Sequence, residues 1–117
     1  MHRYKELKFW KESKDLSVEI YQLTASFPKE EKFGIVDQMR RASVSIPSNI
    51  AEGSSRNSNK DFSRFLDYSM GSAYELETQM EISKELGFLK QEDHTLVSLK
   101  LNGIIKQMSK FRTNCLV

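Results

Sequence analysis

Residues 40–53 read RRASVSIPSNIAEG, and this stretch decides the fold because it carries a proline inside a helical pattern. Proline lacks an amide donor and its ring collides with the carbonyl four residues earlier, which costs a helix about 3 kcal/mol or more. The apolar and small residues nevertheless continue through Pro47 at steps of four and three, which is helical spacing. These residues are Ile35, Met39, Ala42, Ile46, Asn49 and Gly53. The pattern therefore predicts one kinked helix, in which the carbonyl of Ser43 accepts a bond from a Ser hydroxyl or from water.

A second face of the same helix carries small and polar side chains. Its members are Gln38, Arg41, Ser45, Ser48 and Glu52. Small side chains let another backbone come close, and the stripe carries opposite charges towards its two ends. Two interpretations stay open: a solvated face, or a contact with another subunit or a partner in which Arg41 and Glu52 meet charges from the neighbour. Arg40, Asn49 and Glu75 are assigned to the same contact. A buried Asn49 would need hydrogen-bond partners, and Glu75 or Glu77 is expected to pair with Arg40 or Arg41.

The rest of the chain predicts three further amphipathic helices with short connections. Small residues in the middle of the third helix, at 69 and 71–73, would let it approach the second helix closely. We expect a loop over residues 53–57, Ser58 as an N-cap, Gly87 just after the third helix and a loose tail after residue 112. The predicted helices cover residues 5–26, 34–52, 59–86 and 91–111. This order predicts an all-α, up-down-up-down antiparallel four-helix bundle that forms a single domain over residues 1–117.

Composition places few constraints on function. The chain has 117 residues, a formal net charge of +2 and one cysteine, and an unpaired cysteine is typical of a reducing compartment. We expect a cytoplasmic protein without a secretory leader. No apolar run approaches the ~20 residues that a membrane span needs, so no membrane association is predicted.

The residues that carry catalysis or bind metals are scarce. A di-iron bundle needs Glu-x-x-His pairs, and neither His2 nor His94 follows a Glu by three residues. A structural zinc site needs several Cys or His ligands, which these two histidines and Cys115 do not supply. The serines lack a histidine partner, and no Gly-x-Ser-x-Gly segment or phosphate-binding loop is present. We therefore predict no enzyme activity, no catalytic residue, no metal and no cofactor.

Basic residues concentrate towards both termini and predict a nucleic-acid surface. Aromatic residues alternate with lysines near the N-terminus, and lysines on a surface give salt-dependent affinity for phosphates. The candidate phosphate contacts are Lys5, Lys8, Lys11, Arg56, Lys60, Lys100, Lys106 and Lys110. The alternative is that the aromatic residues belong to the core while the lysines are merely solvated.

Three segments carry a family resemblance: FPKEEKFG at 27–34, QMRRASVSIPSNIAEGSSR at 38–56 and GSAYELETQMEISKELGFL at 71–89. They resemble the small bacterial four-helix-bundle proteins that are encoded in intervening sequences of 23S ribosomal RNA genes. The resemblance covers residues 7–89 by motif and the last helix by pattern only. It implies a four-helix bundle, in a family that has no established biochemical activity.

The resemblance also bears on partners. Members of the family resemble ring-shaped homopentamers, and the related accessory proteins of diversity-generating retroelements bind nucleic acid and a reverse transcriptase. Five copies of a chain with charge +2 would carry about +10, enough to attract a polyanion. Two hypotheses follow. The first is a homopentamer whose basic surface binds RNA or DNA. The second is a scaffold or protein-binding ring, centred on the small stripe of the second helix, without affinity for nucleic acid.

Overall fold

A computed structural model describes residues 2–117, which contain four α-helices, two short 3-10 turns and no strand. The α-helices are α1 (Lys8–Thr24), α2 (Ile35–Ser54), α3 (Asn59–Glu85) and α4 (Gln91–Cys115). The 3-10 turns cover Tyr4–Glu6 and Lys29–Glu31. The principal-axis extents are 43 × 24 × 19 Å, as expected of helices that run side by side.

Each helix packs against the next one in the chain, and α4 packs back against α1. Short connections between consecutive helices make neighbours antiparallel. The predicted all-α, up-down-up-down bundle is therefore confirmed. Its core consists of the inward faces of all four helices and includes fully buried Leu16, Ile46, Leu76 and Leu101.

Several predicted helix limits were wrong. α1 begins at Lys8 rather than at residue 5, because Leu7 is extended (φ −77°, ψ 123°) after the first 3-10 turn. α2 continues through Gly53 to Ser54, two residues into the predicted loop. α4 continues to Cys115, and Leu116 is buried against the bundle, so the tail is ordered rather than loose.

α2 runs without interruption through Pro47, as the spacing predicted. The hydroxyl that reaches its backbone near the proline belongs to Ser69 of α3. It donates to the carbonyl of Ile46 at 2.8 Å, not to the carbonyl of Ser43 as we expected. The buried face also differs from the predicted row: Ile50 is fully buried in the core, and Asn49 is only half-buried.

α2 and α3 pack closely, as predicted, with Ser69 and Ser72 of α3 bonded to α2. Gly71, which we also expected at this interface, is exposed and has no atom within 4 Å of an added Cβ. A Cβ atom added at Gly53 would lie 2.6 Å from Cβ of Phe65 and 2.9 Å from Cδ1 of Phe62. Such distances leave no room for any side chain, so only glycine permits this approach. Further along the same interface, the hydroxyl of Ser72 donates to the hydroxyl of Ser45 at 2.9 Å.

The end of α3 follows the prediction that Gly87 lies just after the helix. Gly87 has φ +80°, a conformation that residues with a Cβ adopt at a cost. Its amide donates to the carbonyl of Lys84 at 3.0 Å, and the amide of Phe88 donates to the carbonyl of Ser83 at 2.8 Å. These two bonds form a Schellman motif, which satisfies carbonyl groups at the helix end.

Candidate functional site

The antiparallel order brings four separate parts of the chain to one end of the bundle. At this end the amide of His2 donates to the carbonyl of Ser54 at 3.3 Å. The ring of Phe111 lies 5.3 Å from that of Phe9 and 5.6 Å from that of Phe62. The start of α1, the end of α2, the start of α3 and the end of α4 therefore meet here.

Charge is divided unevenly between the two halves of the bundle. Cutting each helix at its midpoint puts residues 2–15, 45–71 and 104–117 in one half, with eleven Lys and Arg against six Asp and Glu, a net +5. The other half, residues 16–44 and 72–103, has seven Lys and Arg against ten Asp and Glu, a net charge of −3. We call these the basic half and the acidic half. Because salt screens exposed charges beyond about 8–10 Å, each end of a molecule 43 Å long presents its own charge to a ligand.

Seven of the eight predicted nucleic-acid contacts lie in the basic half. The exception is Lys100, which lies in the acidic half with its Nζ 2.8 Å from Oε2 of Glu19. Lys8 lies 3.9 Å from a carboxylate of its own helix, and Arg56, just past the end of α2, lies 3.0 Å from a carboxylate of that helix. The other five are exposed and form no ion pair within residues 2–117. These five are Lys5, Lys11, Lys60, Lys106 and Lys110.

The groove between α1 and α4 is not a shared basic surface, although these two helices carry most of the predicted lysines. Acidic side chains of α1 occupy it: Glu12 accepts a bond from Nε2 of Gln107 at 2.6 Å, and Glu19 pairs with Lys100. The positive charge of the two helices is therefore brought together at the end of the bundle and not along its side.

Sequence reasoning missed Arg64, which belongs to the same half. Its guanidinium lies 5.6 Å from the ring centroid of Phe65, and that of Arg56 lies 4.8 Å from the same ring. Arg64 follows Lys60 by four residues, the spacing that puts two side chains on one helix face. That spacing was a usable signal for a larger basic surface.

The residues of α2 that were predicted to contact a partner lie in several different environments. Gln38, Arg41, Ser48 and Glu52 are exposed. Within the chain, Arg41 is paired on its own helix, with Nε 3.0 Å from Oδ2 of Asp37. The carboxylate of Glu52 likewise meets the guanidinium of Arg56, 3.0 Å away and just past the end of α2. Arg41 and Glu52, the charged residues towards the two ends of this helix face, therefore both belong to solvent-exposed ion pairs. Such pairs hold their side chains in place only weakly.

The expected pairing of Glu75 or Glu77 with Arg40 or Arg41 was wrong. Arg40 turns towards α1, where its Nε donates to Oγ1 of Thr24 at 2.9 Å and its guanidinium lies 4.6 Å from the ring centroid of Tyr21. Glu75 instead accepts a bond from Nε2 of Gln79 at 3.2 Å. Nη2 of Arg40 also donates to the carbonyl of Tyr21 at 3.3 Å. A hydroxyl, a carbonyl and an aromatic ring on α1 therefore take the place of the carboxylate that we expected.

Polar side chains of α2 and α3 meet in what we call the α2–α3 seam: Ser45, Asn49, Ser72, Glu75 and Gln79. Nδ2 of Asn49 donates to both the carbonyl and the hydroxyl of Ser45, at 2.9 Å each, and Ser72 completes the link to α3. Oε1 of Gln79 is buried without a hydrogen-bond partner. A buried polar atom without a partner is uncommon, so the seam has one unsatisfied acceptor.

Exposed apolar side chains follow the seam along α3. Tyr68, Ile82 and Leu86 are 50%, 43% and 59% exposed. They lie three or four residues from each other or from Ser72 and Gln79, which is the spacing of one helix face. The seam is therefore bordered by a row of apolar groups.

Groups suited to catalysis or metal binding are sparse in the described part of the chain. Nε2 of His94 lies 2.9 Å from Oε2 of Glu81, and His2 packs against the rings of Phe62 and Phe111. Across residues 2–117, no three His, Cys, Asp or Glu side chains are grouped so that they could hold a metal ion. None of the described helices combines the length and apolarity needed to cross a lipid bilayer.

Comparisons with known proteins agree with this architecture. A family model described as 23S rRNA-intervening sequence protein matches residues 5–110. A solved structure from Bacteroides thetaiotaomicron, a protein of unknown function from the S23 ribosomal protein family, is similar with a TM-score of 0.81 and 21% identity. The similarity covers 91% of this chain and 99% of that one. No curated protein matches the chain.

Proposed function

The chain belongs to the 23S rRNA-intervening sequence protein family, and we propose that it is a non-enzymatic cytoplasmic protein that binds RNA or DNA through its basic half. The observation that carries the proposal is the concentration of seven predicted phosphate contacts in a half with net charge +5. Five of these side chains have no acidic partner within residues 2–117. They are free to neutralise phosphates.

Contacts of this kind make a measurable prediction about salt. Each phosphate that a lysine neutralises releases counterions, which steepens the plot of log affinity against log salt by about 0.9 for duplex DNA. Five contacts per chain give a slope of about −4.5 on a duplex. The affinity is independent of sequence, since lysines on phosphates carry no base information.

A matched pair of variants tests which half of the molecule is responsible. The test variant replaces three lysines of the basic half, and the control replaces three exposed lysines of the acidic half that also form no ion pair within residues 2–117. The substitutions are Lys5→Gln, Lys11→Gln and Lys60→Gln in the first variant, and Lys29→Gln, Lys32→Gln and Lys90→Gln in the second. Both variants lose the same charge, so a difference between them reports location alone.

We expect mobility shifts across a salt series to separate the two variants. The basic-half variant should bind more weakly, with a slope shallower by about 3, while the control keeps the affinity and slope of the unmodified protein. Absence of binding at low salt, affinity that does not change with salt, or equal losses in both variants would each overturn the proposal.

The proposal includes a homopentameric ring, with the α2–α3 seam as the subunit contact. Support comes from the unsatisfied Oε1 of Gln79 and from the exposed apolar row beside it, because a second copy would cover both. Arg41 lies at the border of this surface, and reversing its charge as Arg41→Glu should lower the mass measured by light scattering. Lys14→Glu is the control, since Lys14 is also an exposed paired cation but lies on α1. A monomeric unmodified protein contradicts the ring.

The second candidate is a scaffold ring that binds a protein partner and has no affinity for nucleic acid. The same seam and apolar row favour it, because they offer a partner both hydrogen bonds and apolar area. Nuclease treatment distinguishes the two functions: a protein that stays bound to the purified ring afterwards supports the second candidate. Recovery of nucleic acid alone in untreated samples supports the first.

A further inference from the structure

The groove between α3 and α4 has the chemistry of a site for unpaired bases. It is a shallow, open groove of about 440 Å³, lined by Met70 and Tyr74 of α3 and by Ile105, Lys106 and Lys110 of α4. Met70 and Ile105 are half-buried and form an apolar floor, while Tyr74 is 54% exposed. An exposed aromatic ring beside an apolar floor and two cations is how proteins hold single strands.

We propose that this groove binds a single-stranded segment of RNA or DNA, with a base stacked on Tyr74 and phosphates held by Lys106 and Lys110. The inference rests on the proposed function and specifies its substrate class. The two lysines belong to the basic half, and Tyr74 lies one turn beyond Met70, just past the midpoint of α3. The groove therefore continues from the basic end towards the middle of the bundle.

The charge of the lining favours a polyanion here over the other grooves beside α4. The lining holds two lysines and no Asp or Glu. The groove between α1 and α4 is lined by Glu12, Asp15 and Glu19, and the far part of the α3–α4 groove by Glu77 and Glu81. Carboxylates repel phosphates, so a nucleic-acid strand that lies along α4 is attracted near the C-terminal end of the helix and repelled near its N-terminal end.

The exposed ring is what selects single strands over a duplex. Lysines bind the phosphates of either form, but the faces of duplex bases are already stacked on one another and cannot lie on Tyr74. The remaining polar lining, Ser109, Thr113 and Asn114, offers donors and acceptors to base edges. Because stacking is available to every base, the site tolerates any sequence.

Fluorescence anisotropy with labelled oligothymidylate, oligouridylate and a duplex of matched length tests this proposal. Tyr74→Ala should weaken binding of both single strands by about 5- to 150-fold, the range for loss of one base–aromatic stack. Tyr74→Phe keeps the ring and should bind like the unmodified protein, while duplex affinity should not change in either variant. The control is Phe33→Ala, which removes an aromatic ring that is 88% exposed and lies outside the groove lining.

The lysines are tested by the salt dependence of single-strand binding. Lys106→Gln with Lys110→Gln should make the slope shallower by about 1.4, since each contact to a single strand contributes about 0.7. Unchanged single-strand affinity in Tyr74→Ala, or equal losses for duplex and single strands, overturns the groove proposal while binding at the basic half stands. A protein that binds neither form overturns both.

Discussion

The close contact at Gly53 makes a sharp prediction about stability. In Gly53→Ala the new Cβ would lie 2.6 Å from Cβ of Phe65, although carbon atoms in contact prefer about 3.5–4.0 Å. The obstacle is an atom fixed to the α3 backbone, so the helices themselves must separate by about 1 Å. Overpacking of this kind costs about 1–3 kcal/mol, and the helix propensity that alanine gains over glycine offsets at most about 1 kcal/mol. We expect Gly53→Ala to lower the free energy of unfolding by about 1–2 kcal/mol.

Gly71 provides the matched control, because it is also a glycine inside an α-helix but has no atom within 4 Å of an added Cβ. Gly71→Ala should raise the free energy of unfolding by about 0.5–1 kcal/mol through propensity and reduced freedom of the unfolded chain. The same substitution thus has opposite signs at the two sites.

Urea denaturation followed by circular dichroism measures the difference between these variants. With a slope of about 1–3 kcal/mol per molar urea, their midpoints should differ by about 0.5–3 M. All samples need one protein concentration, because any assembly adds to apparent stability. A Gly53→Ala midpoint at or above that of the unmodified protein would refute the reasoning, since it would show that the helices separate without cost.

Four further substitutions can be measured by the same urea titration. Arg40→Ala removes two hydrogen bonds and an aromatic contact to α1 and should cost about 1–2 kcal/mol. Arg41 is exposed, so Arg41→Ala should change the free energy of unfolding by no more than about 0.5 kcal/mol. Equal losses of stability in the two variants would contradict the finding that Arg40 is bonded to α1 while Arg41 is not. Ser69→Ala removes the buried bond to the carbonyl of Ile46 and should cost about 1 kcal/mol; no loss would mean that α2 does not need this bond at its proline. Gly87→Ala forces a Cβ into the +80° conformation and should cost about 1 kcal/mol, and an unchanged midpoint would argue against the Schellman ending.

Much of the fold was predictable because it depends on the spacing of residues that are close together in the sequence. The continuity of α2 through Pro47 followed from the apolar residues on either side of it, and the end of α3 followed from Gly87. The start of α1 was not predictable in this way, since Leu7 fits a helical pattern as well as the extended conformation that it adopts. Local spacing identifies a helix better than it identifies the residue where that helix begins.

Features that depend on contacts between helices were hidden from the sequence. Gly53 was interpreted as the start of a loop because glycine often ends a helix, whereas it is helical and makes room for Phe65. Arg40 was expected to meet a carboxylate, yet its partners on α1 are a hydroxyl, a carbonyl and an aromatic ring. Each outcome depends on a residue that the fold brings near from elsewhere in the chain.

The sequence predicted which residues could form the candidate site, but not how they are arranged in space. The basic residues near both termini were visible in the sequence, and the antiparallel order then put them at the same end. The acidic character of the α1–α4 groove was not foreseen, because Glu12 and Glu19 face α4 only once the rotation of α1 in the bundle is known.

The uneven division of charge gives the molecule an electric axis, and this has a consequence for how it meets a polyanion. A rod that is positive at one tip and negative at the other rotates in the electric field of the polyanion as it approaches. It is therefore already oriented before the two molecules make contact. In a ring whose symmetry axis runs along the bundles, rotation leaves every positive tip on the same side. Such a disc would adhere by one face and repel by the other, and a strand lying on it would be covered from one side only.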